Sequence, residues 1–337
     1  MHSIVTGGAG FIGSHLVEEL AKIGRKVTVL DDLSNGSLGN LGSVAPKITI
    51  IEHDISRPYA GLFERQKIDE IYSLACFPRQ VSFSDPRRDA EVNLVGTMNA
   101  LELARVSGAK VAFASNTGIV SDPKALPVDE TFPPNPLTPY DTHKLASEHL
   151  LRIYSKTYGV RTVVLRFASV YGPRQRVNEK LGWRPVIPEF CTRLLQGVSP
   201  TVDGDGAQTR DFVFVKDIVD GVIAAMQSNS NEGDVFILGT NKETSILDLY
   251  RTISKILRVD VPPNYGPRKP EEIMRMRYDY SKAHRAFGWT PRTPLLDGLR
   301  TTVQHLKQEY CGSNSSELPP SLSIDNNSNS ANSPAAD

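Results

Sequence analysis

Short apolar runs recur through the first half of the chain at Ser3–Thr6, Val27–Leu30, Ile48–Ile51, Glu70–Leu74, Lys110–Ala114 and Thr162–Arg166. Their brevity and their content of β-branched residues predict strands. Between them lie stretches of helical period. Phe11–Ile23 repeats its apolar side at Phe11, Ile12, Leu16, Leu20 and Ile23, and Asp89–Ser107 and Tyr140–Tyr158 are further helices. Strands alternating with helices predict an α/β chain, a parallel sheet covered on both faces. After Gly172 the rhythm loosens, with prolines at 173, 185, 188 and 200 and again at 262, 263, 267 and 270. This predicts a nucleotide-binding domain over 1–172, to which the 201–240 region partly returns. A smaller mixed α/β substrate portion follows over 173–310. The remainder, 311–337, is rich in Ser, Asn and Pro and is expected to be disordered, because it has too little apolar surface to offset its ordering entropy.

Composition narrows the setting. Lys+Arg and Asp+Glu are equal at 38 each among 337 residues, so charge gives no reason to expect nucleic acid or an anionic membrane as partner. No run of apolar residues is long enough for a membrane span, and the first residues lack the layout of a signal peptide. Cys76, Cys191 and Cys311 are far apart and odd in number, which fits neither a disulfide framework nor a metal cluster. A reduced cytoplasmic setting is expected, with no metal. Cys76 is expected to be a small buried hydrophobe. His15 and His143 are expected to serve local packing.

The chemistry begins at Gly7-Gly-Ala-Gly10-Phe11-Ile12-Gly13, directly after the first strand and at the start of a helix. Gly7 permits the tight turn, Gly10 lets the backbone approach a pyrophosphate, and Gly13 lets the helix pack closely on the strand. The helix start offers free N–H groups to phosphate oxygens. Asp31-Asp32 ends the second strand about 20 residues on, where a carboxylate accepts ribose hydroxyls and repels a 2′-phosphate. The pattern predicts a Rossmann-type doubly wound sheet that binds NAD in preference to NADP.

Tyr140 and Lys144 lie four residues apart, on one face of a helix opened by Pro139. They follow a strand that ends in Ser115-Asn-Thr117, at the side where such sheets meet their ligands. Tyrosine has an ordinary pKa of about 10 and needs nearby positive charge to act as a base at neutral pH. Lys144 offers that charge, and Thr117 a hydroxyl to share the substrate's proton.

These segments, with Asp54-Ile55, Asn93-Leu-Val-Gly-Thr97, Val170-Tyr-Gly-Pro-Arg174, Gly204-Asp-Gly-Ala-Gln-Thr-Arg-Asp-Phe212 and Phe287-Gly-Trp-Thr-Pro291, resemble the extended short-chain dehydrogenase/reductase family, in particular its nucleotide-sugar epimerases and dehydratases. The resemblance runs from Ser3 to about Leu299. It implies that the glycine loop, Asp31, Asp32, Asp54, Ile55, Leu74, Ala75, Tyr140 and Lys144 hold NAD, and that Thr117, Tyr140 and Lys144 form the active-site trio. Arg210 matches an arginine that binds the nucleotide diphosphate, a task suited to a two-donor guanidinium. Arg268-Lys269 lies where relatives carry a second phosphate-binding arginine, and either residue fits. Ser169 replaces an Asn that contacts the nucleotide sugar. The resemblance also implies a homodimer that pairs through helices Asp89–Ser107 and Tyr140–Tyr158.

Departures from the family pattern choose among reactions. Sugar oxidation by tyrosinate and NAD is common to the family. A 4,6-dehydratase adds an Asp-Glu acid/base pair, and a UDP-glucuronate decarboxylase carries Glu at the position of Gly118. This chain has Gly118-Ile119. What remains is the simplest set, which implies C4 epimerisation of a UDP-hexose or UDP-hexuronate. Dehydratase, decarboxylase and a catalytically silent NAD-binding module are the alternatives. The insert from Gln175 to Trp183 is polar, and Trp183 is expected to pack on the lid.

Overall fold

The computed structural model describes residues 1–230, 232–268 and 273–313. Its centre is one parallel sheet of seven strands: β1 (His2–Thr6), β2 (Lys26–Asp31), β3 (Thr49–Glu52), β4 (Glu70–Ser73), β5 (Lys110–Asn116), β6 (Thr162–Phe167) and β7 (Glu232–Leu238). Their order across the sheet is β7-β6-β5-β4-β1-β2-β3. β1 pairs with β2 on one side and β4 on the other, Ile4 facing Thr28 and Ile71. The winding direction reverses there, so a crevice opens past the carboxyl ends of these strands. β7 comes from the 201–240 region and pairs along β6; a register shift lies between Glu232 and Asp234. β5 continues two residues beyond the apolar run that announces it.

Helices cover both faces. α1 (Phe11–Lys22) starts straight from the glycine loop with no side-chain cap, which leaves its first N–H groups available. The helix expected over Asp89–Ser107 is interrupted. A short α segment, Pro86–Ala90, passes through a widened π turn, Glu91–Val95, before α2 (Gly96–Ser107). There the Asn93 carbonyl accepts hydroxyls from Thr97 at 2.8 Å and Ser147 at 2.9 Å, an insertion that distorts the ordinary helical ladder. α3 (Pro139–Tyr158) has a built beginning and end. The Thr138 hydroxyl accepts the Asp141 N–H at 3.0 Å, proline takes the first position, and Gly159 turns left-handed at φ 69°.

The core divides with the sheet. Leu16, Leu20, Val163 and Val222 pack on one face, and Ile71, Leu101, Val111 and Leu151 on the other. A third cluster of Phe190, Leu194, Leu249 and Leu299 supports the substrate portion, with α4 (Val186–Leu195), α5 (Val215–Gln227) and α6 (Ile246–Leu257) nearby. α7 (Leu295–Ser313) carries regular helix into residues 311–313, the first of those expected to be disordered; the rest of that tail, 314–337, lies outside the described residues. The packing of α1 against the chain after Gly172 includes His15, whose Nε2 meets the Pro173 carbonyl at 3.0 Å. Burial pushes this imidazole down to about 4, so it is neutral at physiological pH.

Candidate active site

The glycine loop is shaped so that backbone replaces side chains. Gly7 sits at φ +69°, and a Cβ there would lie 2.7 Å from the Ala75 Cα. A Cβ on Gly13 would lie 2.0 Å from the Gly7 carbonyl oxygen. Asp31 braces the loop: its Oδ2 accepts the Ala9 N–H and its Oδ1 the Leu33 N–H, each at 2.9 Å. Burial raises this carboxyl above the usual range. Arg88 places its Nη2 2.9 Å from Asp54 and 3.6 Å from Asp32, and so holds the more exposed acids in position.

These residues border a cavity of about 690 Å³, within the range of cofactor sites. Gly7, Gly10, Phe11, Ile12, Gly13, Asp31, Asp32, Asp54, Ile55, Leu74 and Ala75 all line it, and Tyr140 closes its inner end. A loop that only glycine can form, the free helix start behind it and carboxylates at the tip of β2 fit an extended dinucleotide.

A second cavity, of about 770 Å³, opens beside the first, and the two share Arg79, Gln80, Ser169, Gln175 and Pro185. Ser169 therefore stands at the seam. Arg210 lines the second cavity, its Nη1 donating to the Thr209 and Ile273 carbonyls at 2.8 Å. Arg268 lines neither; it is half exposed and 3.6 Å from Asp205. Lys269 lies outside the described residues.

At the inner end, Lys144 is buried, donates to the Ala114 carbonyl at 2.9 Å and lies 5.6 Å from the centroid of the Tyr140 ring. Burial, followed by the neighbouring Cys76, Asp141 and Asp89, pushes the Tyr140 phenol well above its ordinary range, and Arg79 pulls the other way. Burial lowers Lys144, opposed by Cys76, Asp89 and Glu148.

Two expectations need correction here. Thr117 does not face the cavity: its hydroxyl donates to the Phe167 carbonyl at 3.2 Å, on the side of Tyr278. The side chain bordering Tyr140 is its neighbour Asn116, whose Oδ1 and Nδ2 are buried with no protein partner. Cys76 is exposed, because the loop after β4 opens into the cofactor cavity.

The same loop carries residues that sequence reasoning passed over. Arg79 grips Asp141 with Nε 3.0 and 3.1 Å from the two oxygens and Nη2 2.9 Å from Oδ2. Asp141 is fully buried in the first turn of α3, next to Tyr140. Gly118 faces this cluster, and a Cβ there would lie 2.7 Å from Asn116 Oδ1 and 2.8 Å from Asp141 Oδ1. Asn93 bonds both the N–H and the carbonyl of Phe77 at 3.2 Å, which fixes the loop from the π turn.

The insert forms a strap across the cofactor cleft. Asn178 donates to Asn35 Oδ1 at 2.9 Å on one side. On the other, Gln80 exchanges hydrogen bonds with the backbone of Arg184 at 2.9 and 3.3 Å. Leu181, Trp183 and Pro185 line the cofactor cavity beneath it, so Trp183 turns toward the cofactor.

Comparison with known proteins agrees with this geometry. The model of the NAD dependent epimerase/dehydratase family matches residues 3–239. The UDP-glucose 4-epimerase of Mycolicibacterium smegmatis is 36% identical over 315 residues, 92% of this chain and 99% of that protein. The crystal structure of Thermotoga maritima UDP-glucose 4-epimerase with UDP-glucose superposes with a TM-score of 0.86 at 33% identity, covering 92% of this chain and 100% of that one. Bacillus cereus UDP-glucuronic acid 4-epimerase, solved with UDP-glucuronic acid and NAD, gives 0.84 at 31% identity with coverage of 92% and 100%. The cradle, the Tyr140–Lys144 pair and these likenesses agree: the chain belongs to the NAD-dependent epimerase/dehydratase family.

Proposed function

We propose that this protein interconverts the C4 epimers of a nucleotide-diphosphate sugar, a UDP-hexose or UDP-hexuronate. One observation carries the reading: Tyr140 lines the cofactor cavity with Lys144 buried against its ring, and Gly118 offers no side-chain acid at the position where a decarboxylase carries Glu. Bound NAD supplies a positively charged ring and a reversible hydride acceptor.

The chain's own groups supply the rest. Tyr140 Oη takes the proton of the sugar's C4 hydroxyl as the C4 hydride leaves, giving a 4-keto sugar, and returns it after the ring presents its other face. Lys144 offsets the charge on the tyrosinate, against the burial that disfavours it. The proton-sharing part read onto Thr117 passes to Asn116, whose unpartnered amide donates to the same oxygen. Arg210 holds the diphosphate in the second cavity, and Ser169 touches the sugar at the seam. Gly7, Gly10, Gly13, Asp31 and Asp54 hold the cofactor.

Incubation of the NAD-loaded protein with UDP-glucose, UDP-N-acetylglucosamine and UDP-glucuronate is expected to yield the C4 epimer of at least one. A 4-keto-6-deoxy or decarboxylated product without any epimer overturns the proposal.

The proposal includes a homodimer and a cytoplasmic setting. Val95, Met98 and Val106 on the helix through α2, and Ile153 and Tyr158 on α3, are apolar and exposed, a surface suited to a self-complementary helix pair. Light scattering at micromolar concentration is expected to give twice the 37.1 kDa chain mass, and a monomer rules the pairing out. Free thiols at Cys76, Cys191 and Cys311 accord with a reducing compartment.

A further inference from the structure

Arg79 stands where the two cavities meet and is fixed there unusually firmly. Its Nε and Nη2 edge is spent on Asp141, a carboxylate with no solvent exposure. Nη1 makes no hydrogen bond among the described residues, and the side chain keeps 36% of its surface exposed. A guanidinium locked along one edge presents its remaining donors in a set direction, which favours discrimination over mere attraction.

That direction is toward the reacting end of the sugar. Hydride transfer at C4 requires the hexose to contact both Tyr140 and the cofactor, so the ring lies at the seam and the nucleotide extends along the second cavity past Arg210. Arg184 and Arg193, also on that cavity's wall, are held by Glu179 and Glu189. Arg79 is held by the anchor of the Tyr140 helix itself, one residue away from the base. Of the two ring carbons that flank C4 in a hexose, C5 bears the exocyclic C6 group. Beside it the wall offers a cation, and Gly118 adds no side chain: a Cβ there would crowd Asn116 Oδ1 at 2.7 Å and Asp141 Oδ1 at 2.8 Å.

We propose that Arg79 reads a carboxylate at C6 of the substrate, so that the favoured sugar is a nucleotide-linked hexuronate. This rests on the epimerase reading above, because that reading places C4 against Tyr140. Asp141 acts as the positioning residue: buried behind the guanidinium, it sets the orientation while the cation meets the substrate first. The pairing adds charge-assisted hydrogen bonds absent from a neutral hexose, which corresponds to about a 10- to 100-fold difference in affinity.

The test is a binding comparison that needs no turnover. NAD-loaded full-length protein carrying Tyr140→Phe is titrated with UDP-glucuronate and UDP-glucose by calorimetry. UDP-glucuronate is expected to bind at least about tenfold more tightly, and adding Arg79→Gln is expected to bring the ratio of dissociation constants close to one. If Arg79→Gln fails to fold because Asp141 loses its partner, Arg79→Gln with Asp141→Asn removes both charges and is expected to abolish the preference in the same way. Equal binding of the two sugars, or a preference that survives loss of Arg79, overturns the proposal and leaves Arg79 as a brace for α3. Absence of an epimer in the turnover assay overturns the epimerase reading instead, whichever way the binding ratio falls.

Discussion

Replacing Tyr140 with Phe is expected to lower kcat by about 10²- to 10⁴-fold, the range lost with a positioned acid/base group, while leaving the fold and NAD affinity close to wild type. The ring remains and only the hydroxyl goes. That hydroxyl makes no hydrogen bond among the described residues, so its removal leaves no partner stranded. The pH profile separates this from a structural effect. Burial holds the Tyr140 pKa above its ordinary range, so the reactive tyrosinate gains population as pH rises and wild-type kcat rises with it. In the Phe variant that rising limb disappears. Melting curves and NAD titration monitor folding. A variant that turns over within about threefold of wild type, well short of the loss expected of a catalytic base, would falsify the assignment.

Gly13→Ala is the second large effect, and it falls on the cofactor. The new methyl would sit 2.0 Å from the Gly7 carbonyl oxygen and 2.8 Å from the Gly8 Cα. Both are backbone atoms, so no rotamer change relieves the clash and the loop itself must open. Opening moves the helix start away from the pyrophosphate. Losing two charge-assisted hydrogen bonds, at about 1.5–3 kcal/mol each, weakens NAD binding by at least about 100-fold. The strain also costs about 1–3 kcal/mol of stability, as over-packing of a close contact does. Calorimetric titration with NAD and a denaturant curve measure the two effects separately. NAD binding within threefold of wild type contradicts the cradle described here.

Legibility in the sequence followed the range over which each feature is determined. The first six strands follow from local apolar runs, and the glycine loop follows from a backbone geometry that only one residue type permits. Thr117 was misplaced for a reason peculiar to strands. Successive side chains point to opposite faces, so the residue that meets a ligand depends on where the strand stops. The apolar run ends at Ala114, but β5 keeps its register with β6 through Asn116, and this turns Asn116 to the cavity and Thr117 to Phe167. Arg79 was missed because its meaning lies in Asp141, 62 residues away. Asp141 sits in the first turn of α3, where the Thr138 hydroxyl accepts its N–H, and nothing in that local contact shows that its carboxylate also holds a distant guanidinium. β7 opens on Glu232-Gly-Asp234 and shifts register there, which hides it from a periodicity search. The strap is equally non-local, since its contacts join residues 104 and 144 positions or so apart in sequence.

That strap crosses the mouth of the cofactor cleft, with Leu181 and Trp183 on the cavity wall and Arg184 also bordering the second cavity. Release of a dinucleotide is expected to wait on the parting of the Asn178–Asn35 and Gln80–Arg184 contacts. A reaction that returns its hydride has no need to exchange the carrier between turnovers. The architecture thus treats the redox reagent as a resident tool and the sugar as the traffic.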